Sequence, residues 1–115
     1  MNSSKRKREI QMKNLLVDAS KQRFNSGVVY TTPTINELFS GEKLPHLLEL
    51  IKRHVCGDYG VLACADVISN EKAIRCGLMV MSNYDVRDLN LGISNVWIIT
   101  EGDRSSTTVL LPEEY

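Results

Sequence analysis

One hundred and fifteen residues, 43% of them hydrophobic, are enough to bury one core without disulfides or a structural metal. The longest apolar runs are a few residues, which excludes a membrane-spanning helix, and the basic N-terminus lacks the apolar stretch that a secretory signal requires. A soluble, cytoplasmic protein is expected. Cys56, Cys64 and Cys76 match neither a disulfide framework nor a zinc-ligand spacing, so buried free thiols are expected and no metal or other cofactor is called for.

The formal charge of zero conceals an asymmetry. Residues 1–24 hold seven Lys or Arg against Glu9 and Asp18, a net +5, and the remainder carries −5. The reading is therefore a basic N-terminal arm or helix over 1–24 ahead of a single α+β domain over 25–115. Lys5, Arg6, Lys7, Arg8 and Lys13 are the candidates for a nucleic-acid backbone contact, and self-neutralisation against the acidic body or a neighbouring subunit is the alternative.

In chain order, Ser3 or Ser4 can cap a helix that becomes regular from about residue 9 and stops at Asn25-Ser26-Gly27. Val28–Thr31 is a short β-prone run, ended by Pro33 and followed by a capped helical turn from Thr34. Leu44, Leu47, Leu48, Ile51 and Val55 recur at the spacing of one buried helix face, with Pro45 in the first turn and Gly57 as the exit. Arg53 and His54 fall in the last turn, where a cation complements the carbonyl end of the helix, so His54 is expected to cap. His46 and His54 stand about 12 Å apart along the axis and cannot share a metal. A further helix over 63–76 has Ala65, Ile68, Ala73 and Ile74 for packing and Gly77 as terminator.

From Leu78 the period becomes alternating. LMVMSNY, VWIIT and TTVLL read as three strands of an antiparallel meander. The predicted fold class is α+β, with N-terminal helices packed on a small C-terminal antiparallel β-meander. Trp97, Ile99, Val109 and Leu111 are assigned to the face against the 44–55 helix, with Ile98 and Leu110 on the other. A sheet apolar on both faces, in so small a protein, calls for a helix layer on each face or for a partner.

The connection between the last two strands gathers Glu101, Asp103, Arg104, Ser105, Ser106, Thr107 and Thr108, residue types that could bind an anion or recognise a partner. Turn-stabilising bonds of Asp and Ser to their own backbone explain the same residues without a site. GDYG, residues 57–60, lacks the spacing of a phosphate loop and carries an acid where phosphate would be repelled.

GDYG, SNEKAIRCG, the SNY before the loop and above all WIITEGDRSSTTVLLPEEY resemble a group of small proteins carried on plasmids, integrated elements and phages. They are called plasmid-related, and sometimes a type I restriction subunit M. The resemblance covers about residues 28–115. A modification subunit needs a cofactor-binding domain and target-recognition regions that do not fit in this length. The matching positions are Gly57, Asp58, Tyr59, Gly60, Asn70, Ser82, Tyr84, Trp97, Thr100, Glu101, Asp103, Arg104, Thr107, Thr108 and Pro112, and they mark a shared surface or scaffold. The 85–95 loop, the helix before Gly77 and the basic extension depart from the pattern.

The functional expectation is a non-catalytic protein-interaction module of a mobile element, an inhibitor of host restriction or CRISPR defence. Its candidate partner-binding residues are Asp58, Tyr59, Glu101, Asp103, Arg104 and Thr107, with self-association left open. Two alternatives stand beside it. One is a small hydrolase or transferase built on Glu101, Asp103 and Arg104 with His54 or Tyr59 brought near, and the other is a nucleic-acid accessory protein using the basic arm.

Overall fold

A computed structural model describes residues 8–10 and 19–115. Its strands are β1 (Arg8–Ile10), β2 (Val28–Thr31), β3 (Val80–Asp85), β4 (Asn95–Thr100) and β5 (Ser106–Leu110), and its helices are α1 (Pro33–Leu38), α2 (Leu44–Val55) and α3 (Cys64–Cys76). The fold is α+β. The five strands form one sheet in the order β1-β2-β5-β4-β3. β3, β4 and β5 make the expected antiparallel meander, and β2 runs parallel to β5, so the sheet as a whole is mixed.

The expected N-terminal helix is corrected where it can be seen. Arg8–Ile10 is a strand paired antiparallel with β2, and Ala19–Lys21 is a single 3-10 turn. Lys5, Arg6, Lys7 and Lys13 lie outside the described residues. A largely polar sequence offers a helix little to pack with, whereas a strand gains a ladder partner from β2. The boundary between arm and domain is also displaced. Arg23 donates its backbone N–H to the Val55 carbonyl, and Phe24 is buried beside Val55, Tyr59, Ala73 and Val80.

Local signals set the helix ends. The Thr32 hydroxyl accepts from the Ile35 N–H at 3.4 Å and Pro33 opens α1, while Pro45 sits in the first turn of α2. Gly77 terminates α3 in the left-handed region. The buried face of α2 is Leu47, Leu50, Ile51, His54 and Val55. Leu44 is 42% exposed and Leu48 half-buried, so the stripe is rotated from the expected one, toward Leu50 and His54. On α3, Asn70 and Ala73 are buried while Ala65 and Ile68 face solvent. Cys64 and Cys76 are exposed and Cys56 half-buried, so the expectation of buried thiols is corrected for all three.

The register decides which side chains share a face. Ile98 pairs with Val109 and Trp97 with Leu110. Val96, Ile98, Val109 and Leu111 therefore meet Leu47, Leu50 and Ile51 of α2 in the main core, together with Ile35 and Phe39. Trp97 and Ile99 lie on the opposite face with Leu110, which corrects their expected side. Alternation gives each strand two faces but does not say which face of one strand matches which of the next.

The outer edge of β3 is closed by side chain and loop. The Asn70 amide donates to the Met81 carbonyl at 2.7 Å and accepts from the Met81 N–H at 3.1 Å. Next along the edge, the Asn83 N–H donates to the Tyr59 carbonyl and the Asn83 carbonyl accepts from the Val61 N–H. Gly60 is required for this approach. Its φ is +75°, and a Cβ there would collide with the Asn83 carbonyl.

Candidate functional site

The β4–β5 turn, which carries most of the candidate residues, is pinned from inside. Arg104 adopts φ 61° and turns its guanidinium back under the turn, donating to the Leu78 carbonyl at 2.6 Å, the Ala73 carbonyl at 2.9 Å and the Glu101 carbonyl at 3.0 Å. It also lies over the Phe24 ring at 5.6 Å. Ala73 is in the last turn of α3, so Arg104 supplies the cation that satisfies this helix end. Asp103 is exposed and accepts from the Ser105 N–H at 2.9 Å, an Asx turn. The Ser105 hydrogen bonds hold its carboxyl below the usual range. Glu101 is exposed. Thr107 is 0% exposed, so as a surface for partner binding it is corrected.

Thr107 belongs instead to a buried chain of hydroxyls around His54. The His54 ring approaches Ser82 Oγ at 2.6 Å through Nδ1 and Thr100 Oγ1 at 2.8 Å through Nε2. Thr100 Oγ1 lies 2.6 Å from Thr107 Oγ1, which donates to the Ser26 carbonyl at 2.7 Å. Each hydroxyl has one proton, so the direction propagates from the carbonyl end. Thr107 gives its proton to Ser26, hence accepts from Thr100, which in turn accepts from His54. His54 is then the neutral Nε2–H tautomer, and its Nδ1 accepts from Ser82. Burial first, and the Arg104 charge second, lower its pKa to about 3. The expected helix-capping role is thereby corrected, because both nitrogens bond hydroxyls and the ring is sealed edge-on against Phe24 at 5.1 Å.

Residues 57–60 form a separate neighbourhood. Asp58 is exposed and accepts from Arg53 at 2.8 Å, and that hydrogen bond lowers its carboxyl. Its backbone carbonyl accepts from the Tyr84 hydroxyl at 2.6 Å. Tyr59 is buried, and its hydroxyl has no hydrogen-bond partner among the described residues. Asp58–Gly60 adjoins Asn83 and Tyr84, whereas Glu101 follows Thr100, the partner of Val80. Three strand residues separate the two places, about 10 Å at 3.3 Å per residue. Among the described residues, the depression that Glu101 borders is lined by none of residues 54–60. Nor does any group of three His, Cys, Asp or Glu among the described residues stand close enough to hold a metal.

Two concavities lie on the second face of the sheet. A depression of about 310 Å³ is bounded by Met79, Ile99, Leu110 and Tyr115, with Glu101 and Glu114 beside them. A second, of about 390 Å³, runs between α3 and the floor formed by Met79, Met81 and Trp97, with Asp66 on its wall. The two meet at Met79. α1 and α2 both pack on the first face, and α3 stands at the β3 edge, held there by Asn70. The Pro112–Glu114 turn closes the far side, where Tyr115 meets Trp97 edge-on at 5.7 Å. Glu114 fixes that turn by accepting from the Thr32 hydroxyl at 2.8 Å and the Leu111 N–H at 2.9 Å.

Of the sequence-derived candidates among the described residues, only Glu101 borders this groove. The expectation missed Met79, Met81, Trp97 and Ile99 as a unit, and it missed Ser82, Thr100 and Ser26 as partners of His54. The signal for both sets was the period of two, which aligns 79, 81 and 83 against 80, 82 and 84, and 97 and 99 against 98 and 100. No protein-family model matches the chain, and no curated protein or solved structure matches it either.

Proposed function

We propose that the protein is a non-catalytic protein-binding module that engages its partner through the groove on the second sheet face. The observation that carries this reading is a concave apolar surface centred on Met79, itself 43% exposed, on the face opposite α1 and α2. An apolar depression with a few polar groups at its rim is the form that binding sites take. Paired methionines suit binding, because an unbranched, polarizable side chain adapts to the shape it meets.

The charged turn supports the same reading by what it does not offer. Arg104 is occupied by three carbonyls, Thr107 is interior, and the histidine that would serve as a base is sealed in the core. In the context implied by the resemblance, the module belongs to a mobile element and its partner is a host defence complex. The test is affinity capture from host cells with wild type, Met79→Lys and Asp103→Ala. The same specific partner is expected with wild type and Asp103→Ala, and its loss with Met79→Lys. Retention by Met79→Lys alongside loss by Asp103→Ala would move the site to the turn.

A further inference from the structure

The groove carries charge of one sign. Asp66 stands on the wall of one depression and Glu101 and Glu114 beside the other, with no Lys or Arg among the described lining residues of either. Four of the described arginines are committed elsewhere: Arg23 to Glu71, Arg53 to Asp58, Arg87 to Asp85, and Arg104 to backbone carbonyls. Two hydrogen bonds fix the position of the Glu114 carboxylate.

We infer that the groove receives an amphipathic helix of a partner protein, with an apolar stripe against Met79, Met81 and Trp97 and Lys or Arg along its flanks. This rests on the protein-binding role proposed above and names the chemistry of the partner. The helical form follows from the sheet. Its first face is completed by α1 and α2, whereas the second leaves Met79 exposed and Met81 and Trp97 half-buried and is walled at its edges by α3 and the Pro112–Glu114 turn. A sheet apolar on both faces is completed by a helix layer, whose axis stands about 10 Å above the strands. Basic flanks follow from the three carboxylates, which would leave an acidic or neutral helix with unpaired, partly desolvated charges.

Trp97, the single tryptophan of the chain, lines the groove and reports on it directly. The probe is a synthetic peptide of about 18 residues with Leu along one helical face and Lys elsewhere. Two controls keep the Leu positions: one replaces every Lys by Glu, and the other carries two central prolines. The Leu/Lys helix is expected to shift Trp97 emission in a saturable way, with affinity that falls as salt is raised, and to bind at least tenfold more tightly than either control. Met79→Lys should abolish the shift, and Glu101→Gln should weaken it and flatten its salt dependence. Circular dichroism confirms that both variants are folded.

Equal binding of the Glu peptide would overturn the charge assignment, and equal binding of the proline peptide would overturn the helix. A dimer that buries Trp97 and is not displaced by the peptide would assign the groove to a second copy instead. If no peptide binds while Met79→Lys still loses the captured host partner, the helix is overturned and the protein-binding role stands.

Discussion

The two faces of the sheet are built from alternate residues of the same strands, and they solve opposite problems. On the first face, Val80, Ser82, Tyr84, Val96, Ile98 and Thr100 are all buried against helices, and the polar members among them need partners inside the protein. The chain from Ser82 through His54, Thr100 and Thr107 to the Ser26 carbonyl supplies them, with a defined direction at each step. On the second face, Met79 and Trp97 remain partly accessible, and the charged residues beside them are carboxylates. A buried polar chain makes one packing arrangement specific, because any slip orphans several groups at once. An accessible apolar face leaves that requirement to whatever covers it.

His54→Ala gives the largest expected difference between the faces. It removes a fully buried ring and leaves Ser82 Oγ and Thr100 Oγ1 without their partner. A cavity together with orphaned polar groups should cost about 3–5 kcal/mol of unfolding free energy by urea titration. A loss below about 1 kcal/mol would mean that the hydroxyls re-pair without the ring, and that the chain is not what specifies this face.

Arg104→Met comes next. It keeps much of the aliphatic stem and its contact with Phe24 but removes donors to three carbonyls that tie α3 to the β4–β5 turn. Because the side chain is partly exposed, a loss of about 2 kcal/mol is expected, less than three charge-assisted bonds would suggest in isolation. Asp103→Ala, one residue away, should leave the urea midpoint unchanged, since the Asx bond it removes is fully exposed. Equal effects at 103 and 104 would contradict the assignment of Arg104 to the scaffold.

Acid should act on the first face before the carboxylates respond. His54 has a folded-state pKa of about 3, against an ordinary value of 6.5, so below pH 6.5 the unfolded chain binds a proton that the folded chain does not. Stability is then full above about pH 6.5 and falls as the pH drops toward 3, with a slope of at most about 1.4 kcal/mol per pH unit. The lowered carboxyls of Asp58, Asp85 and Asp103 stay ionised through the upper part of that window. Urea midpoints between pH 7 and 5 should fall for wild type, and the His54 contribution to that fall should be absent from His54→Gln. An identical slope in the variant would remove His54 as its source.

The sequence revealed the elements better than their relations. α2, α3 and the three strands of the meander were legible because apolar spacing and Gly or Pro punctuation mark them locally. Whether Trp97 or Ile98 faces α2 was not legible, since it depends on a pairing with β5 that no local pattern encodes. His54 illustrates the same limit. Its position at the end of α2 suggested a cap, but Ser82 and Thr100 arrive from strands 28 and 46 residues further along and turn it into an interior group. Arg104 looked available because its neighbours in sequence are polar. The carbonyls that occupy it come chiefly from Ala73 and Leu78.

Met79→Lys is a small expected perturbation of folding and the sharpest test of the comparison. Met79 is 43% exposed, and a lysine there can lay its stem along the groove and keep its ammonium in water near Glu101. The unfolding free energy by urea titration should therefore change by no more than about 0.5 kcal/mol. A loss above about 1.5 kcal/mol would mean that the second face is interior too, filled by this chain itself, and the distinction between a specified face and an accessible one would collapse. A neutral result, together with lost partner capture, would separate folding from binding within one pair of strands, because His54→Ala and Met79→Lys act on opposite sides of the same β3–β4 ladder.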